Sequence, residues 1–195
     1  ASHHALEDYG ALLTLPGMRA FVPAFSVDVE EIVDRMHQID HPDYLRLGRC
    51  EQPPDQEVET FSPWRRLVRG GGISVIVVGP LAGSFWQHIL SMTESKRPDL
   101  WVLGELPVTD ISNMPPDLLS NIVANGLCVV EEHGLQGSVG QQLAALLMGG
   151  GFTPRQFLHC YAKGYPSGTY GSQSFHRRES GLEPDQVMEA LGIAL

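Results

Sequence analysis

A chain of 195 residues with 43% hydrophobic and 18% charged side chains has room for one large domain, or one domain and part of a second. Its net charge of -10 excludes a nucleic-acid binder, whose phosphates need a basic surface, and the pairs Arg65-Arg66 and Arg177-Arg178 are too short to reverse that. No run approaches the roughly 20 apolar residues that span a bilayer, and Cys50, Cys128 and Cys160 lack metal-ligand spacing, so a reducing, cytoplasmic setting is expected.

Taken in order, Ser2-His3-His4-Ala5-Leu6-Glu7-Asp8 leads into a helix whose Leu6, Tyr9, Leu12 and Leu13 share a face, ended by Pro16-Gly17. Arg19 to Val22 reads as a short strand closed by Pro23. Ser26 or Asp28 can cap a second helix with a stripe of Val29, Ile32, Val33 and Met36, and Glu31 and Arg35 stand at a supportive i,i+4 spacing. Asp43 to Leu47 is a further strand, and the acidic, proline-bearing stretch 51–57 is the best linker. Beyond it, Ile73-Ser74-Val75-Ile76-Val77-Val78 is a continuous apolar run, as for a parallel strand covered on both faces. Strands at 100–103, 127–130 and 155–160 alternate with helices carrying Phe85, Ile89 and Met92, then Leu118 and Ile122, then Val139, Leu143 and Leu147. Pro184 opens a last helix through Val187, Met188 and Leu191. Repeated β-α units predict an α/β fold: an open, doubly wound, mostly parallel sheet preceded by a shorter α/β piece.

An imidazole at a helix start and a guanidinium at a strand end can converge on one small anionic ligand. The helix start adds unpaired N–H groups, and arginine adds a planar fork. His3 and Arg49 are that candidate pair, although a surface histidine and a solvated arginine explain the same residues equally well. The turn Gly79 to Ser84 fits neither the dinucleotide nor the P-loop pattern and is read as a tight structural turn. In Glu131-Glu132-His133-Gly134 neighbouring side chains leave opposite faces of a strand and do not converge unaided. His159-Cys160 is expected to be buried and structural. The stretch 164–178, polar and aromatic, is read as an ordered loop or a contact surface.

Several of these stretches also resemble a known family. Ser2-His3-His4-Ala5-Leu6-Glu7-Asp8, Leu15-Pro16-Gly17-Met18, Val22-Pro23-Ala24 and Tyr44-Leu45-Arg46-Leu47-Gly48-Arg49 resemble the end of the pyrimidine-binding domain of transketolases. The run 129–140 and the ending Gly181-Leu182-Glu183-Pro184-Asp185-Gln186-Val187 are similar to the transketolase C-terminal domain, in the version close to split transketolases. The resemblance implies residues 1–52 as the end of a pyrimidine-binding domain, 53–65 as a linker and 66–195 as a C-terminal domain. It implies transfer of a two-carbon ketol unit between sugar phosphates, with thiamine diphosphate and Mg2+ supplying the carbon–carbon chemistry in the complete enzyme. His3 then matches a histidine that contacts substrate oxygens, and Arg49 an arginine that grips the sugar phosphate, whereas His4, Glu7 and Asp8 support the helix start. Neither the glutamate that activates the cofactor nor its diphosphate and magnesium motif falls within these residues. The chain is therefore expected to be incomplete, to bind no cofactor and to be inactive alone. Its expected partners are an N-terminal transketolase section, in the same or a separate polypeptide, and a second copy in a homodimer. Alternatives are a relative of 1-deoxyxylulose-5-phosphate synthase or of the oxo-acid dehydrogenase β-subunit, and a non-catalytic dimerisation module. The segment 162–180 is longer than the usual family loop.

Overall fold

The computed structural model describes residues 5–193. Its first quarter runs α1 (Asp8–Leu12), β1 (Arg19–Phe21), α2 (Asp28–Gln38) and β2 (Asp43–Leu45). Then follow β3 (Trp64–Val68), β4 (Ser74–Val78), α3 (Ala82–Ser91), β5 (Asp99–Leu103), β6 (Glu105–Leu106) and α4 (Pro116–Asn125). The chain continues through β7 (Leu127–Glu131), α5 (Val139–Gly149), β8 (Phe157–Tyr161), α6 (Gln173–Ser180) and α7 (Pro184–Ala190).

The larger sheet has the order β3-β5-β4-β7-β8. All its pairings are parallel except β3 with β5. β4 is apolar after Ser74 and buried throughout because its two sides feed two cores. Val75 and Val77 join Phe85 and Ile89 of α3 and Val187 and Met188 of α7 on one face. Ile76 and Val78 join Leu118 and Ile122 of α4 and Leu143 and Leu147 of α5 on the other. The result is a mixed α/β, mostly parallel sheet with helices on both faces, as the alternating pattern predicts.

A second sheet has the order β2-β1-β6, with β2 parallel and β6 antiparallel to β1. Its third strand comes from the later part of the chain. That placement sets Glu105 beside α2, and Arg35 pairs with Glu105 at 2.9 Å rather than with the expected Glu31. The linker has no regular structure but lies against α3. A Cβ on Gly83 would stand 1.5 Å from the Glu51 carbonyl oxygen, so this crossing requires glycine.

Besides the short β6, two elements depart from the sequence reading. β3 is an edge strand whose signal is hidden by consecutive arginines, each satisfied on its own side. Arg65 reaches Asp28 and Arg66 reaches Asp99. The expected loop 164–178 instead contains α6. It has no apolar stripe; Ser172 caps it by accepting from the Phe175 N–H, and Gly181 closes it in the left-handed region at φ 75°.

Candidate functional site

A cavity of about 370 Å3 opens where the two sheets meet. One wall is the approach to α1 and the end of β2, sewn to the end of β7 by backbone contacts. The Gly134 N–H donates to the Leu6 carbonyl at 2.5 Å. Arg46 Nη2 donates to the carbonyls of Ala5 and Glu132 at 3.1 and 2.9 Å. Arg46 Nε lies 2.9 Å from Asp8 Oδ2, which also accepts from the Tyr44 hydroxyl at 2.8 Å. Burial, and then the hydrogen bond and charge of Asp8, push the Tyr44 phenol up to about 12, so at neutral pH it remains a donor. The guanidinium of Arg46 also sits 5.2 Å from the ring centre of Tyr9.

The opposite wall is the segment around α6, which contributes Tyr165, Gln173 and His176. It is fastened to Glu132. Arg177 donates through Nε and Nη2 to the two carboxylate oxygens at 2.7 and 2.9 Å, and Gln173 Nε2 donates to both at 3.0 and 2.9 Å. This planar fork makes a charge-assisted bidentate pair. Tyr165 packs 5.2 Å from Tyr170 and 5.3 Å from His176, ring centre to ring centre, which folds the segment onto itself.

Of the residues singled out from sequence, His3 and His4 lie outside the described residues. Arg49 is exposed, directly after Gly48 on the cavity wall. A Cβ on Gly48 would meet the Pro80 ring at 2.6 Å, so glycine lets this segment lie on the turn after β4. Arg46, which organises the wall, is not among the residues singled out from sequence. Its signal is the alternation Tyr44, Arg46, two polar-tipped side chains on one side of an extended segment. The turn 79–83 is buried throughout, with Val22 packed 2.3 Å from where a Gly79 Cβ would stand, in keeping with a structural turn.

Glu131, Glu132 and His133 indeed diverge. Glu132 reaches the cavity, while His133 stacks on Tyr9 at 3.9 Å and accepts from the Gly10 N–H at 3.1 Å. Glu131 is buried and binds the fold together. It accepts from the Tyr9 hydroxyl at 2.5 Å and from the N–H groups of Val139 and Gly140 at 2.9 and 2.8 Å, and His159 Nε2 lies 2.7 Å away. His159 is therefore half-buried against a carboxylate, a partner 28 positions away that local spacing does not reveal.

Burial alone pushes the Glu131 carboxyl up, but the bonds from His159, Tyr9 and the start of α5 outweigh it and hold it below its ordinary 4.5. A carboxylate lowered in the fold contributes stability above its unfolded value and loses it as pH falls through the folded one. The urea midpoint is accordingly expected to drop as pH descends below 4.5, and Glu131→Gln to flatten that descent from a lower starting point at pH 7. Parallel pH profiles for the two proteins would remove this role.

The donor set does not suit a magnesium–diphosphate group. Magnesium favours carboxylate, phosphate and water oxygens, whereas Asp8 and Glu132, the carboxylates at the cavity, are each held by a guanidinium. Among the described residues no group of three or more His, Cys, Asp or Glu side chains converges to hold a metal ion.

Comparison with known proteins bears on the whole assembly. No family model matches the chain. It is 26% identical over 149 residues to a subunit of the apulose-4-phosphate transketolase of Phocaeicola vulgatus, covering 72% of this chain and 46% of that protein. It is 22% identical over 200 residues to the subunit of the same name from Actinobacillus succinogenes, covering 97% of this chain and 61% of that one. The chain thus spans about half to three-fifths of the length of these relatives. Among solved structures, a split-gene transketolase described as an inactive β4 tetramer superposes with a TM-score of 0.76 at 24% identity, over 98% of this chain and 61% of that one. Transketolase from Campylobacter jejuni matches with a TM-score of 0.67 at 10% identity, over 97% of this chain and 28% of that one. The fold is that of the transketolase C-terminal region. Sequence likeness and fold together support a transketolase-family C-terminal section.

Proposed function

We infer that this chain is the C-terminal section of a transketolase-like transferase that moves a two-carbon ketol unit between sugar phosphates. The observation that carries the reading is the polar cavity between the segment 44–48 and the end of β7, beside both candidate stretches of the resemblance. Arg49 follows that wall directly and supplies fixed positive charge for a sugar phosphate, while His3 handles protons at substrate hydroxyls. The name of the two relatives, each a subunit of an apulose-4-phosphate transketolase, agrees with a phosphorylated ketose as donor and with a separate partner polypeptide. Thiamine diphosphate and Mg2+ belong in this reading to the complete enzyme, with an N-terminal section holding them, and two copies of the whole form a dimer. The three cysteines, all free thiols, are in keeping with the cytoplasm.

Co-expression with the matching N-terminal polypeptide tests this directly. Ketol transfer from a ketose phosphate, with thiamine diphosphate and Mg2+ added, is expected from the pair and from neither polypeptide alone. A well-folded pair that binds the cofactor but transfers nothing would overturn the reading.

A further inference from the structure

The segment 162–180, longer than the usual loop of the family the sequence resembles, supplies one wall of the cavity through Tyr165, Gln173 and His176. We propose that this segment is a specificity wall for the sugar chain, on which Gln173, aligned by Glu132, recognises hydroxyl groups of a polyhydroxylated ligand rather than its phosphate. The inference rests on the ketol-transfer reading for its biological setting but not for the binding it asserts.

Two observations carry it. First, the charges at the cavity cancel in pairs. Arg46 is held by Asp8, and Arg177 holds Glu132. A phosphate dianion placed between two neutralised pairs gains little net attraction, whereas a neutral polyol meets a dense set of fixed donors and acceptors. Second, the wall is preorganised. Glu132 holds the Gln173 amide nitrogen with both oxygens, which turns the amide without tying up its carbonyl oxygen, and Arg177 fixes the helix one turn further on. At about 370 Å3 the cavity lies at the lower end of small-ligand sites, the size class of a single sugar rather than a nucleotide.

The hydroxyl readout is separable from phosphate binding by Arg49, which lies exposed beyond the wall. Binding of D-ribose, D-ribose 5-phosphate and inorganic phosphate to the complete pair of polypeptides is measured by calorimetry in wild type, Gln173→Met and Arg177→Ala. Methionine keeps the length of the side chain without its amide, so that packing is retained. D-ribose is expected to bind, tenfold or more weakly to Gln173→Met, and Arg177→Ala is expected to show the same loss by unseating the wall. Inorganic phosphate is expected to bind alike to wild type and Gln173→Met. Undetectable ribose binding, ribose binding indifferent to Gln173→Met, or loss of phosphate binding equal to the loss of ribose binding would each overturn the proposal. A pair that binds ribose in this Gln173-dependent way yet transfers no ketol unit sinks the reaction and leaves the wall. One that transfers ketol without such binding does the reverse.

Discussion

Replacing Asp28 by alanine is expected to lower the unfolding free energy by about 3–5 kcal/mol, a large share of the stability of a domain of this size. Asp28 and Arg65 are 1% and 3% exposed and meet through two hydrogen bonds of 2.9 Å. The same carboxylate accepts from the Ala24 and Phe25 N–H groups at 3.0 Å each, at the first turn of α2. Arg65 in turn donates to the Glu59 carbonyl at 2.7 Å and lies 5.2 Å from the ring centre of Phe25. Removing the carboxylate strands a buried guanidinium and two N–H groups and unfastens α2 from β3. The cost comes from the unpaired charge rather than from the pair's net worth, so a second change, Arg65→Met, should restore part of the loss. Guanidinium denaturation of the three proteins measures both effects. A loss below about 1 kcal/mol for Asp28→Ala would mean the charge finds water.

The second large effect concerns the reaction. In the reconstituted pair, His3→Ala is expected to lower kcat for ketol transfer by about 10²-fold or more, the range in which a positioned acid–base side chain contributes. Binding of the phosphorylated substrate should change little if, as proposed, Arg49 holds the phosphate. A rise in KM with kcat intact would recast His3 as a binding residue only. Steady-state rates over a range of donor concentrations separate the two outcomes.

The sheet is legible in the sequence because its strands are apolar on both faces and its helices carry one stripe each. Val75 through Val78 leave one reading, and Leu118, Ile122, Leu143 and Leu147 need only their spacing. What escapes is built from polar residues whose partners are remote. Arg65 and Arg66 look like a solvated pair until Asp28 and Asp99 arrive from 37 and 33 positions away. α6 has a polar sequence, and Glu132, 45 positions before Arg177, supplies its anchor. Arg46 is inconspicuous for the same reason: its partners are Asp8 and the carbonyls of Ala5 and Glu132, none of them near it in the chain. Local spacing identifies which residues are inside; it does not say which charges meet.

The phosphate-binding role proposed for Arg49 is open to direct measurement. The measurement is kcat/KM of the reconstituted pair for an aldose phosphate and for the same aldose without phosphate, in wild type and Arg49→Ala. Loss of a charged contact to the phosphate predicts a fall of about 30-fold for the phosphorylated acceptor, roughly 2 kcal/mol, with the free sugar changed less than about twofold. Equal losses on both acceptors, or transfer that survives His3→Ala and Arg49→Ala together, would contradict it.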